Sequence, residues 1–161
     1  MSKGVVQIYY GEGRGKSNAA IGSAIGAACE GREAFVIEFL KGKNEQNMEF
    51  LNRLEPEVKF FNFSRAGIFF DELDEENKQE EIMNIKNGFN YAKKVVSTSA
   101  DALIVLDELL GLLDLHLVEL SEVKELLESR GEDVTVVCTG RVLDEGIKAL
   151  ADEIYNIESH K

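Results

Sequence analysis

The sequence predicts an α/β fold: a three-layer, doubly wound, mostly parallel sheet with helices on both faces. Three observations predict it. Short β-branched and aromatic runs alternate with longer stretches of helical periodicity. The strand candidates are continuously apolar, as strands covered on both faces are. The length of 161 residues, 44% apolar and 30% charged, suits one domain that buries roughly 70% of its unfolded-chain surface without disulfides or structural metal. No internal repeat, low-complexity tract or linker divides residues 1–161.

Val5-Val6-Gln7-Ile8-Tyr9-Tyr10 reads as the first strand. A Gly-rich turn follows, then an Ala-rich helix from about Lys16 to Ala28, with Gly31 placed to end it. Ala34 to Leu40 is the second strand and Val58 to Phe63 the third. Ile82, Ile85, Phe89, Ala92 and Val96 recur at helical spacing and form the core face of a long helix. Leu103 to Leu106 is the fourth strand, and Val134 to Cys138 the fifth. Ser121 to Ser129 and Leu143 to Ala151 read as helices, and Ile154 to Ile157 adds a sixth strand. Right-handed crossovers between parallel strands bring their carboxyl ends to one edge, where open α/β sheets bind ligands.

Eighteen Lys and Arg against 30 Asp and Glu give a net charge of −12. That balance argues against general duplex binding, which needs many cations on phosphates, so no nucleic-acid partner is expected. No apolar run approaches the ~20 residues of a membrane span. Met1 to Gln7 lacks a signal-peptide pattern, so a cytoplasmic protein without a membrane partner is expected. Cys29 and Cys138 lie in apolar stretches without C-x-x-C spacing and are expected to be reduced, buried thiols. His116 and His160 form no motif with either cysteine. The run Asp71 to Glu81 holds seven acids and one lysine. A solvated loop entering a helix N-terminus accounts for it, and a protein-partner surface is the other reading.

Gly11-Glu12-Gly13-Arg14-Gly15-Lys16-Ser17 follows a strand and opens a helix, the context in which such a motif holds phosphate. Glycines let several N–H groups converge on one concavity, and the helix N-terminus adds positive potential. Lys16 reaches phosphate oxygens, and Ser17 offers a hydroxyl to Mg²⁺. Glu12, Arg14 and Asn18 belong to the same nucleotide-binding stretch. The loop is short: three residues, not the usual four, separate Gly11 from Gly15, and Tyr10 stands where a first glycine is usual. With this loop the predicted fold becomes a P-loop NTPase (RecA-like) fold, and residues 1–161 a single nucleotide-binding domain.

Ile104-Val105-Leu106-Asp107-Glu108 is an apolar strand ending in two acids at the same sheet edge, which makes both acids candidates for Mg²⁺. The alternative is a pair of acids that merely starts the next helix. Arg141, in Thr139-Gly140-Arg141 after the fifth strand, is placed to bind triphosphate, and Lys41, in Leu40-Lys41-Gly42, is a weaker candidate of the same kind.

Together these elements resemble the P-loop family of ATP:corrinoid adenosyltransferases. The resembling residues are Gly11 to Ala20, Phe39-Leu40-Lys41-Gly42, Val105 to Leu109 and Thr139-Gly140-Arg141, in order and spacing over nearly the whole chain. The short glycine loop is this family's form. The resemblance implies transfer of the 5′-deoxyadenosyl group of ATP to the Co(I) of a corrinoid such as cobalamin, with inorganic triphosphate leaving. The nucleotide would lie in the reverse of the usual sense, its γ-phosphate where other P-loop proteins hold an inner one. Lys16 and Arg141 would stabilise charge on triphosphate, Ser17 and Glu108 would hold Mg²⁺, and Asp107 would support the metal's water shell.

The family also carries a glycine followed by aromatics after the third strand, packing on the corrin's lower face to displace its axial ligand. Here that segment is Ala66-Gly67-Ile68-Phe69-Phe70. Phe70 falls where the family has a large aromatic, and Ile68 where another is expected. Ile68, Phe69 and Phe70 are therefore the corrinoid-binding candidates; plain core packing of Phe69 and Phe70 is the competing reading. A flavoprotein reductase and a homodimeric partner are implied in the same way. The sequence departs from the family elsewhere. Gly26 and Glu30 replace an Arg and a His, Glu38 replaces a Gln, and the family's N-terminal helix and basic tail have no counterpart in these residues. These departures keep open a noncatalytic ATP- or corrinoid-binding paralogue, and an ordinary P-loop kinase or ATPase is the third reading.

Overall fold

A computed structural model of the chain describes residues 4–42, 45–64 and 70–161. The strands are β1 (Val5–Tyr10), β2 (Glu33–Glu38), β3 (Val58–Asn62), β4 (Asp101–Asp107), β5 (Asp133–Gly140) and β6 (Glu153–Asn156). The helices are α1 (Lys16–Cys29), α2 (Glu45–Leu51), α3 (Glu75–Thr98), α4 (Leu109–Asp114), α5 (Leu120–Glu128) and α6 (Glu145–Lys148). One sheet runs in the order β3-β2-β4-β5-β1-β6, and every pairing is parallel. This is the doubly wound P-loop NTPase fold, RecA-like, with β5 between the loop-bearing β1 and the acid-bearing β4.

Alternation along each strand divides the core in two. Ala34, Val36, Leu103, Val105 and Val137 face Ala20, Ala24 and Ala27 of α1. Phe35, Ile37, Ile104, Leu106, Val136 and Cys138 face the opposite layer, where Ile85, Phe89, Ala92 and Val96 of α3 pack with Leu126 and Leu127 of α5. The small residues at i, i+4 and i+7 of α1 let its backbone lie close on the sheet. They therefore fix the height of the loop that precedes it.

Several sequence expectations change in detail. The second strand stops at Glu38, because Leu40 turns out of the sheet at φ 63. The last helix shrinks to α6, started by the Asp144 carboxylate accepting from the Gly146 N–H. Helices α2 and α4 were not anticipated. Cys138 is buried as expected, but Cys29 is exposed: it ends α1 off the alanine face. Among the described residues no helix is long and apolar enough to cross a membrane.

Candidate functional site

The loop after β1 is braced from two sides. Gly11 N–H donates to the Gly140 carbonyl (3.2 Å), and Gly13 N–H to the Ile157 carbonyl (2.9 Å). Ile157 N–H in turn donates to the Tyr10 carbonyl (2.7 Å). The approach is close enough to require glycine. A Cβ on Gly11, which sits at φ +125, would lie 2.4 Å from the Ile157 oxygen, and one on Gly13 would lie 2.8 Å from it. Gly15 (φ 104) caps α1. Lys16 folds back over the turn, its Nζ donating to the Gly13 carbonyl at 2.8 Å. Glu12, Arg14 and Asn18 are exposed.

Strand parity continues past the core. Glu38, Asp107 and Thr139 fall in step with Val36, Val105 and Val137, on the α1 face. Ser17, in the first turn of α1, therefore meets Asp107: Ser17 Oγ donates to Asp107 Oδ1 at 2.9 Å. Thr139 Oγ1 donates to the same oxygen (2.6 Å) and accepts from the Glu108 N–H (2.9 Å). Lys41 closes the group, its Nζ 2.5 Å from Asp107 Oδ2 and 2.7 Å from Ser17 Oγ. The turn at Leu40 brings that ammonium back over the sheet edge. Asp107 is wholly buried, and both its oxygens are satisfied.

The Lys41 ammonium thus sits between a hydroxyl and a carboxylate. Ser17 Oγ and Asp107 suit Mg²⁺, which takes one or two protein oxygens and keeps water or phosphate on its other positions. Among the described residues no three His, Cys, Asp or Glu side chains converge into a closed metal cage, as such a partial site requires none. Glu108 starts α4 at φ 65. Burial raises its carboxyl above the ordinary range and the charge of Asp107 adds to this, against Lys41, Lys16 and Arg141. Glu38, paired in register with Asp107, is raised by burial first, with Lys41 opposing and Asp107 adding.

Beside the loop lies a cavity of about 400 Å³, a size usual for small-molecule sites. Lys41, Glu108 and Arg141 stand on its wall, with Leu40, Phe70, Leu115 and Val142 as apolar lining and Asp71, Glu72 and Asp114 as further acids. Arg141 is 70% exposed, with its Nε 4.0 Å from Glu12 Oε2, so it links cavity and loop. Phe70 both lines the cavity and packs against the core, and Lys78 Nζ stands 5.6 Å from its ring centroid. Ile68 and Phe69 lie outside the described residues.

The fold thus brings together Ser17, Lys41 and Asp107, and places Glu108, Arg141 and Phe70 around one cavity. Sequence reasoning missed Thr139 as the residue that orients Asp107. Its parity with Thr135 and Val137 was the available signal. It also missed Asp114, because α4 was not foreseen.

The family model described as ATP:corrinoid adenosyltransferase BtuR/CobO/CobP matches residues 2–161. The chain is 28% identical over 162 residues to the corrinoid adenosyltransferase of Escherichia coli (strain K12), covering 99% of this chain and 79% of that protein. Corrinoid adenosyltransferase CobA of Salmonella typhimurium gives the same identity and coverage. A solved structure of C. elegans PCH-2 superposes with a TM-score of 0.50 at 14% identity, over 96% of this chain and 35% of that one, a likeness of fold alone. A braced glycine loop, the Ser17–Asp107 contact beside it and a match along almost every residue agree: the chain belongs to the ATP:corrinoid adenosyltransferase family.

Proposed function

We propose that residues 1–161 act as one nucleotide-binding domain that transfers the 5′-deoxyadenosyl group of ATP to the Co(I) of a reduced corrinoid. The Co(I) electron pair forms the cobalt–carbon bond to C5′; the C5′–O bond breaks, and its electrons leave with triphosphate. The substrate itself is the nucleophile, so no protein base is needed. The protein holds two substrates in line and stabilises charge on the departing triphosphate. The N–H groups of Gly15 to Ser17, the Lys16 ammonium and Arg141 do this, while the Gly11 and Gly13 N–H groups brace the loop. Mg²⁺, held by Ser17 with Asp107 and Glu108, would supply further positive charge at the triphosphate. Lys41 leaves Asp107 and turns to a phosphate oxygen. Phe70, with Ile68 and Phe69, forms the apolar wall for the corrin. A flavoprotein reductase delivering Co(I), a second copy of the chain and a cytoplasmic setting complete this reading.

The observation that supports it best is the adjacency of a glycine-braced phosphate loop and a mixed apolar cavity, joined by Lys41 and Arg141. Anaerobic incubation with MgATP and prereduced cobalamin tests it. Adenosylcobalamin and inorganic triphosphate are the expected products. ADP with phosphate would assign an ordinary ATPase, and MgATP binding without turnover a noncatalytic module. Lys16→Ala should weaken MgATP by about 10–100-fold in calorimetry, the worth of one charge-assisted hydrogen bond. Unchanged affinity would contradict the placement of the loop.

A further inference from the structure

Asn62 of β3, Glu38 of β2 and Asp107 of β4 stand side by side in register, so about 10 Å of sheet separates the outer two. Lys41 spans that gap. Its Nζ lies on Asp107 and Ser17, while its carbonyl accepts from Asn62 Nδ2 at 3.3 Å. The chain reaches this place by one abrupt turn. Phe39 N–H still donates to the Asp107 carbonyl (2.9 Å), Leu40 turns out of the sheet at φ 63, and the Asn62 amide meets the next residue. The orientation of that amide is itself fixed, because Oδ1 accepts from the Ser64 N–H at 2.9 Å. A backbone N–H can be met only by the amide oxygen, and a carbonyl only by the amide nitrogen. Both contacts therefore demand the same setting of this half-buried side chain.

A lysine carries its charge on a flexible four-carbon stem, so the place of its main chain decides what the ammonium can reach. Lys41 meets Asp107 and Ser17 in the ligand-free protein and a phosphate oxygen in the loaded one. A clamped main chain lets side-chain rotation alone connect the two positions. We propose that Asn62 is a positioning residue: by holding the Lys41 carbonyl it keeps the Lys41 ammonium beside Ser17, within reach of triphosphate. The inference rests on the adenosyltransferase reading, in which Lys41 turns to a phosphate oxygen, and adds a residue that acts through Lys41. Aspartate could not replace Asn62 in this role. It would keep an acceptor for the Ser64 N–H but set a second oxygen against the Lys41 carbonyl.

Two measurements test it. The first is calorimetric binding of inorganic triphosphate with Mg²⁺ in a double-mutant cycle. Asn62→Ala should weaken binding by about 3–10-fold, the worth of one neutral hydrogen bond, and Asn62→Asp by at least as much. In a Lys41→Met background, Asn62→Ala should change affinity by less than about 1.5-fold, since the group it positions is gone. The second reads the ligand-free protein: acetylation of Lys41 by acetic anhydride, mapped by mass spectrometry against the exposed Lys124. Asn62→Ala should speed labelling of Lys41 by about 3–10-fold, as the ammonium is released from Asp107. An equal loss of triphosphate affinity in both backgrounds would assign Asn62 to Ser64 or to the fold at large, and would overturn the proposal. Unchanged affinity or unchanged labelling in Asn62→Ala, an Asn62→Asp variant as good as the unsubstituted protein, or a Lys41→Met variant that binds triphosphate normally would overturn it too. The expected cycle and labelling without any adenosylcorrinoid formed would leave the role of Asn62 standing and overturn the adenosyltransferase reading instead.

Discussion

Lys41 holds the buried Asp107 carboxylate in a neutral pair, and its side chain is only 31% exposed. Removing one partner of such a pair strands the other charge, at a cost of several kcal/mol when burial is complete. Allowing for that partial exposure, Lys41→Met should lose about 1–3 kcal/mol. Millimolar Mg²⁺ should then raise the thermal midpoint of the variant more than that of the unsubstituted protein, because the ion takes the vacated charge position. An equal response in both proteins would show that the ammonium and the metal do not share a place. The two cysteines differ in the opposite sense from Lys41 and Asp107, by being kept apart. Burial pushes the Cys138 thiol from 9.0 up to about 12. Its protonated form therefore adds stability that is complete below pH 9 and fades as pH rises toward about 12. Native protein should react with a thiol reagent at Cys29 alone, and at both cysteines after unfolding. Cys138→Ala should flatten the alkaline fall in stability; native labelling of Cys138 would refute its burial.

At the scale of elements, α1 is set by its alanines. Ala24 has no exposed surface and faces the sheet. Ala24→Leu should overpack that contact by about 1–3 kcal/mol and, by lifting the helix, weaken nucleotide binding as well. Ile25, 40% exposed on the same helix, gives the control: Ile25→Ala should stay within about 0.5 kcal/mol. Normal ATP affinity in Ala24→Leu would separate the helix position from the loop. The strands were legible in sequence because both faces are covered, so their apolar runs are unbroken. Helices α2 and α4 were not, since seven and six residues give too little periodicity to stand out. The glycine loop was legible because its chemistry is local. The contact of Lys41 with Asp107 was not: it depends on a positive-φ turn at Leu40 and on the β2–β4 register, neither of which a single sequence displays.

For the whole molecule the governing quantity is its net charge of −12. Like charge on a compact body opposes folding, and salt screens it within about 10 Å at 0.1 M. Raising sodium chloride from low to moderate concentration should lift the thermal midpoint by roughly 2–4 °C, which corresponds to about 1 kcal/mol for a protein of this size. A midpoint that falls with salt would mean that attractive pairs such as Arg32–Asp101 dominate the surface instead.

The brace from Ile157 to Gly13 ties the eleventh-to-seventeenth residues to the segment that directly follows β6, well over a hundred residues further along the chain. A ribosome would release this turn early, yet only the Gly140 brace could form before β6 had emerged and slotted beside β1. Nascent polypeptides stalled before residue 153 should therefore capture ATP more weakly than those that extend past residue 157, so that firm nucleotide capture awaits the second brace.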